Sequence, residues 1–229
     1  MLCQSLAKPG YITQAPCPMK SSAGKTPGSS HAGRREPHWY PAARFPSPEL
    51  TPSVRRWLLD QGSLTQRLID QQRGHFSVQL LRQDWRVPLP SEQRLLHMLP
   101  RQRAIIREVI LQQGPNEVVF ARSVLPASSL EGKLAHLRRL GNKPLGAILF
   151  NTAGMQRNPF ELALIDQRCT YLPPDIDLQG PVWGRRSRFE VYGQPLMVSE
   201  VFLQAFRPWP QTHGLQRAQR GAAIIRPTK

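Results

Sequence analysis

The sequence predicts an α+β fold with antiparallel strands, and three observations support this prediction. Two pairs of apolar segments are each joined by a tight turn, and strands joined in this way pair antiparallel. Helix signals lie before the first pair and between the two pairs, which is typical of α+β domains. The chain of 229 residues is long enough for one substantial core, and its longest apolar runs stay far below the roughly 18 residues of a membrane span.

Helices are predicted where a capping side chain or a proline precedes an apolar pattern. Ser and Thr oxygens accept hydrogen bonds from the free N–H groups of the first helical turn, and proline fits the first helical position. Four helix starts meet this description: Thr51-Pro52, Ser63 with Gln66, Ser128 with Glu131, and Lys143-Pro144. A further short helix is expected over 91–98.

Strands are predicted where apolar residues alternate or where Ile and Val dominate. The clearest hairpin joins 103–111 to 117–124 through a turn at 113–116. The remaining predicted strands span 76–80, 160–165, 188–192 and 196–203, and the last two form a second hairpin.

The excess of positive charge lies mainly at the two ends of the chain. The whole sequence has 31 basic and 15 acidic residues, a net charge of +16. Residues 1–48 hold six basic residues and one acidic, and residues 207–229 hold five basic residues and no acid, so the ends together carry +10. Residues 1–48 also contain eight Pro, four Gly and six Ser without apolar periodicity. We therefore predict a disordered basic extension over 1–48, one domain over 49–206 and a basic tail over 207–229.

Other sequence features favour a cytoplasmic protein. Lys8 and the glycine and prolines after it interrupt the apolar stretch that a secretory signal requires. The three cysteines have no CxxC spacing, and none of the six histidines pairs as HxH or HxxxH. This spacing indicates neither a disulfide framework nor a metal centre. We expect a monomer. We also expect no nucleic-acid partner, because most of the excess charge lies outside the predicted domain.

Two charged residues interrupt apolar strand faces. Arg107 lies between Ile105 and Val109 on one face of its strand, and Glu200 is flanked by apolar residues in the same way. A buried charge is costly unless it is paired. Two interpretations remain open: the residues pair with each other or lie on a solvated face, or they line a cavity. In a cavity, the arginine fork would bind a ligand carboxylate, and the glutamate would accept from a ligand hydroxyl or transfer a proton.

Several segments, in order along 50–206, resemble the chorismate pyruvate-lyase (chorismate lyase) family. The most specific of them are WGRRSR at 183–188 and LGNKPLG at 140–146. The full series is Trp57-Leu58-Leu59, Ser63-Leu64-Thr65, Arg107 to Leu111, Ala121 to Pro126, Leu140 to Gly146 with Leu149-Phe150, Trp183 to Arg188, and Pro195-Leu196 with Glu200 to Leu203.

The resemblance implies an antiparallel sheet backed by helices, with helical flaps over a buried ligand pocket. It also implies a lyase that converts chorismate to 4-hydroxybenzoate and pyruvate, the first committed step of ubiquinone biosynthesis, without a metal or organic cofactor. The family's substrate contacts fall on Arg107, Leu145 and Glu200, and Glu200 is the candidate catalytic residue. This chain has Leu64 where the family has a contacting methionine, and 168–180 looks like an insertion.

Two other functions are compatible with the sequence. One is a non-enzymatic domain on the same fold that binds small aromatic acids as a ligand sensor. The other is a nucleic-acid-binding protein that would use the basic tails, although these tails lack interleaved aromatic residues. The tails could instead make weak peripheral contact with a membrane of anionic lipids.

Overall fold

The computed structural model describes residues 35–45 and 50–207. The rest of the predicted extension and tail lies outside the described residues. The labelled elements are β1 (Tyr40–Pro41), α1 (Pro52–Leu58), α2 (Leu64–Asp70), β2 (Phe76–Arg86), α3 (Pro90–Leu95), β3 (Ala104–Gln113), β4 (Asn116–Pro126), α4 (Leu145–Phe150), β5 (Gln156–Arg157), β6 (Glu161–Ile165), β7 (Val182–Val191) and β8 (Gln194–Phe202).

The strands of the described residues form one antiparallel sheet, which confirms the predicted fold class. Their order is β1-β6-β7-β8-β4-β3-β2, and β5 pairs with β7 outside this path. Both predicted hairpins are present, as β3–β4 and β7–β8. The first hairpin turns at Gly114 with a φ of +59°, a left-handed conformation that glycine adopts without steric cost.

Helices and loops cover both faces of this sheet. On the face that we call the helical face, α1, α2 and α4 pack Trp57, Leu64 and Leu149 against the strands. On the opposite face, α3 packs beside the connection between β6 and β7. This connection includes the segment that looks like an insertion, and it buries Tyr171 and Leu178 in the core. Its residues therefore belong to the folded domain.

The folded domain begins before residue 49, so the predicted boundary leaves out part of it. Within 35–45, β1 pairs with β6 at the edge of the sheet. The ring of Phe45 meets the ring of Trp183 edge-on, with 5.1 Å between the centroids. Scattered aromatic contacts of this kind hold the proline-rich segment against the sheet. Such contacts require no hydrophobic periodicity, so the sequence pattern did not indicate that this segment is folded.

One predicted helix start is wrong, and three are confirmed. The capping box expected at Ser128 and Glu131 is absent, and a 3-10 helix over Gly132–Arg139 follows without a side-chain cap. Gly132 has a φ of +53°, outside the right-handed helical region, so no regular helix runs through this point. The confirmed starts are those at Thr51, whose side chain accepts from Val54 N, at Ser63, whose side chain accepts from Gln66 N, and at Pro144, which precedes α4.

A row of polar side chains crosses the opposite face at one level of six neighbouring strands. We call it the polar row, and its members are Arg82, Glu108, Arg122, Ser199, Arg186 and Glu161. From α3, Glu92 binds Arg122 at 2.7 Å and Ser91 accepts from Arg186 at 2.8 Å. The row ties α3 to the sheet through buried ion pairs, so its charges are matched within the fold.

Candidate active site

A cavity lies on the helical face, between the central strands and the starts of α2 and α4. The four residues that the sequence singles out all line it: Leu64, Arg107, Leu145 and Glu200. Its free volume is about 40 Å³, whereas a cavity that accepts benzene measures about 150 Å³. In this structure the cavity is therefore too small for an aromatic ring.

Larger clefts of about 510 and 590 Å³ open on the opposite face. They are lined by members of the polar row, among them Arg122 and Arg186, whose charges already pair with carboxylates of the protein. The small cavity on the helical face is thus the better candidate for a site that recognises a charged ligand.

Arg107 is buried at the floor of this cavity, with 2% of its surface exposed. Its Nε and Nη2 donate to the carbonyl oxygen of Gly141 at 3.1 and 2.9 Å, and Nη2 also donates to that of Lys143 at 2.8 Å. Burial lowers the pKa of Arg107 to about 10, so it remains a cation at neutral pH. The structure rules out both simpler interpretations of Arg107, because it is neither solvated nor paired with Glu200.

Glu200 is paired with Arg185, its neighbour on β7. Its Oε2 accepts from Arg185 Nε at 2.5 Å. Arg185 is 1% exposed and also donates through Nη1 to the carbonyl oxygens of Trp57 at 2.8 Å and Asp60 at 3.1 Å. These carbonyls lie at the C-terminal end of α1, where helical carbonyls lack partners within the helix. Arg185 therefore connects the cavity glutamate to the covering helix.

Leu64 and Leu145 are the first residues of α2 and α4, and both are buried. The two helices approach closely at Gly146, where a Cβ would lie 3.5 Å from the hydroxyls of Ser63 and Thr65. α4 begins after Pro144 without a side-chain cap. Its first N–H groups are thus left for another acceptor beside the cavity.

Sequence reasoning missed one charged residue of the cavity, Arg157. It lies on β5, 7% of its side chain is exposed, and its guanidinium lies 4.0 Å from the ring centroid of Phe160. Its Nη2 is 3.9 Å from Glu200 Oε2. No alternating pattern surrounds this two-residue strand. The one sequence signal for Arg157 is that it is an isolated basic residue shortly after α4.

Together, the fold and the cavity define an α+β domain whose antiparallel sheet and short helices enclose a small cavity lined by Arg107 and Glu200. The family model for chorismate lyase matches residues 36–213. The chain belongs to the chorismate lyase family.

Curated relatives agree with this assignment. The chain is 41% identical over 163 residues to a protein of Methylococcus capsulatus named probable chorismate pyruvate-lyase, covering 69% of this chain and 99% of the relative. It is 39% identical over 167 residues to probable chorismate pyruvate-lyase 2 of Pseudomonas entomophila, covering 73% and 88%.

Among solved structures, the effector domain of PhnF from Mycobacterium smegmatis matches 63% of this chain and 90% of that chain. The identity is 16% and the TM-score is 0.47. A likeness at this level says nothing about ligand or activity.

Proposed function

We propose that this chain is a lyase that converts chorismate to 4-hydroxybenzoate and pyruvate. Family membership is the observation that carries the proposal, since the model of the chorismate lyase family spans the described domain. The cavity supports it, because Arg107, Leu145 and Glu200 line one enclosed space together with Leu64. A ligand-sensing domain would need no turnover, so the assay below distinguishes it from an enzyme.

The reaction is an elimination that makes the ring aromatic. Chorismate is a dianion with a ring carboxylate, a ring hydroxyl, and an enolpyruvyl ether on the carbon beside the hydroxyl. The ring carbon–oxygen bond of the ether breaks, and its electron pair leaves with the enolpyruvyl oxygen. The hydroxyl-bearing carbon loses its proton, and that electron pair completes the ring. Enolpyruvate then takes up a proton to become pyruvate. Aromatisation supplies the driving force, so the protein needs mainly to bind, orient and exclude water.

Each polar group of the substrate is bound by a different part of the cavity. Arg107 binds the ring carboxylate through Nη1, because Nε and Nη2 already donate to the carbonyl oxygens of Gly141 and Lys143 and the guanidinium keeps its charge when buried. The free N–H groups at the start of α4, near Leu145, add donors for the same anion. Glu200 lies by the ring hydroxyl, where a carboxylate accepts its hydrogen bond and either orients the ring or assists proton movement.

The closed cavity has a consequence for turnover. The product keeps both the ring carboxylate and the hydroxyl, so it retains the contacts to Arg107 and Glu200. Release also requires the covering helices to move, because the free volume is only about 40 Å³. We therefore propose that product release limits the rate.

Purified protein should form 4-hydroxybenzoate and pyruvate from chorismate in equal amounts, with a chelator present throughout. The reason is that the cavity supplies binding and orientation from its own side chains. Chromatography of the aromatic product and an enzymatic assay for pyruvate measure the ratio. Formation of a different aromatic product, loss of activity on chelation, or binding of 4-hydroxybenzoate without turnover of chorismate would contradict the proposal.

We propose that the product enters ubiquinone biosynthesis, that the protein acts in the cytoplasm as a monomer, and that nucleic acid is not a partner. Within the described residues, no helix is long and apolar enough to cross a membrane.

We propose that the basic ends mediate weak contact with anionic membranes. Residues 1–34 and 208–229 each carry four basic residues and no acid, and each basic residue near an anionic surface contributes about 1 kcal/mol. A chain truncated to 35–207 should keep its turnover and lose sedimentation with anionic vesicles at low salt. Neutral vesicles serve as the control. Loss of turnover on truncation, or no sedimentation of the full chain, would contradict this role.

A further inference from the structure

We propose that Arg157 binds the carboxylate of the enolpyruvyl group, so that two separate arginines hold the two carboxylates of the substrate. This inference rests on the proposed function and names the residue that recognises substrate but not aromatic product. Arg107 would contact a group that both molecules share, whereas Arg157 would contact a group that only chorismate carries.

The protein holds Arg157 firmly at one edge of the cavity. Its Nε donates to Ser187 Oγ on β7 at 2.8 Å. Its guanidinium lies 4.0 Å from the ring centroid of Phe160 and 4.9 Å from that of Phe189. Aromatic rings attract a guanidinium and fix its plane without neutralising its charge. The side chain is thus positioned in advance of ligand binding.

The outer nitrogens of Arg157 have only long contacts within the described residues. Nη1 lies 3.4 Å from the carbonyl oxygens of Gln61 and Gly62, and Nη2 lies 3.9 Å from Glu200 Oε2. That oxygen already accepts from Arg185 at 2.5 Å. Burial lowers the pKa of Arg157 to about 10, which leaves it charged at neutral pH. A buried cation so weakly paired is suited to an incoming anion.

The place of Arg157 agrees with the geometry of the substrate. In chorismate, the ether carbon is next to the hydroxyl-bearing carbon, and the ring carboxylate is at the far end of the ring. Glu200 is assigned to the hydroxyl. Arg185 already donates a hydrogen bond to Glu200, so Arg157 is the neighbouring arginine that remains for the second carboxylate. The enolpyruvyl carboxylate would therefore lie near Arg157 when the ring carboxylate lies at Arg107.

The charges of the site also match those of the substrate. Arg107, Arg157 and Arg185 contribute three positive charges, and Glu200 contributes one negative charge, which leaves two positive charges for a dianion. Without Arg157, the site would carry one net positive charge against the two negative charges of chorismate. Arg157 also lines an outer pocket with Leu59 and Pro159, so this edge of the cavity faces the protein surface.

The test compares two ligands that differ in one substituent, which carries the second carboxylate. They are 4-hydroxybenzoate and 4-hydroxybenzoate with a carboxymethoxy group on the carbon beside the hydroxyl, which cannot undergo the elimination. Calorimetric titration of wild type and Arg157→Gln should show about a ten- to hundredfold loss of affinity for the carboxymethoxy compound. Affinity for 4-hydroxybenzoate should change less than about threefold. Arg188→Gln, on the opposite face of β7, is the matched control and should change neither affinity.

Each outcome decides the role of Arg157. Equal losses for both ligands would show that it only supports the cavity, and unchanged affinity for the carboxymethoxy compound would exclude the contact. If Arg157→Gln does not fold, Arg157→Lys replaces it, because an ammonium keeps the charge but cannot form the fork, and the loss should again be confined to the carboxymethoxy compound. Absence of chorismate turnover in wild type would overturn the proposed function, while the two titrations would still answer the question about Arg157.

Discussion

Arg107→Ala is expected to lower the affinity for 4-hydroxybenzoate by at least about a hundredfold, and kcat/KM for chorismate by a similar factor. The variant loses a charged hydrogen-bonded contact in a site that excludes water, a contact that we expect to contribute about 3 kcal/mol. Arg107→Lys should recover only part of the affinity, because an ammonium cannot donate to the carbonyls of Gly141 and Lys143 and to the ligand in the planar geometry of a guanidinium. Calorimetric titration of 4-hydroxybenzoate into each variant measures the effect.

The control for this variant is Arg103→Ala. Arg103 precedes β3, is exposed, and donates to the carbonyl oxygen of Trp85, so its removal should leave the ligand affinity unchanged. Arg107→Ala will also lose some stability, since Gly141 and Lys143 lose a donor. Titrations are therefore made at a temperature where unfolding curves show the variant to be folded. Wild-type affinity in Arg107→Ala would remove Arg107 from the site.

The central hairpin and two site residues could be predicted because their signals are local. Alternation along a strand places Arg107 and Glu200 on inward faces before any pairing is known. Strand register then brings them together: Ser123 lies opposite Arg107, and Ala121, two residues earlier on β4, lies opposite Glu200. A correct assignment of side-chain direction was therefore enough to place both residues on the face of the sheet that carries the cavity.

The partners of these residues could not be predicted, because they come from distant parts of the chain. The sequence left open a pair between Arg107 and Glu200, but the pair that forms is Glu200 with Arg185. From the sequence, the three arginines within 183–188 are compatible with a solvated strand end or with an anion contact. The fold buries Arg185 and Arg186 instead, because they point to opposite faces of β7 and each finds its own carboxylate.

The largest loss of stability is expected from Arg122→Ala, in the middle of the polar row. Arg122 binds Glu92 through Nε at 2.7 Å and through Nη2 at 3.0 Å, and it binds Glu108 through Nη1. Glu92 is fully buried, and Glu108 keeps only Arg82 when Arg122 is removed. Breaking a buried pair costs about 3–5 kcal/mol, because an uncompensated charge stays in the core. Urea denaturation of wild type and variant measures this difference.

A surface pair provides the matched comparison. Arg86 pairs with Asp84 at 2.9 Å, and both side chains are largely exposed, so Arg86→Ala should cost less than about 1 kcal/mol. A double variant, Arg122→Met with Glu92→Leu, should recover much of the loss, because it removes both charges and refills the space. Equal stability of Arg122→Ala and Arg86→Ala would show that the polar row contributes little.

Arg122→Ala also tests whether the two faces of the sheet have separate tasks. Arg122 and Arg107 are on adjacent strands, but Arg122 faces α3 and Arg107 faces the cavity. The folded Arg122→Ala protein should therefore bind 4-hydroxybenzoate within about threefold of wild type, whereas Arg107→Ala loses affinity. A loss of affinity in Arg122→Ala without a loss of stability would mean that the polar row serves the ligand, and the division of the charged residues between scaffold and site would be wrong.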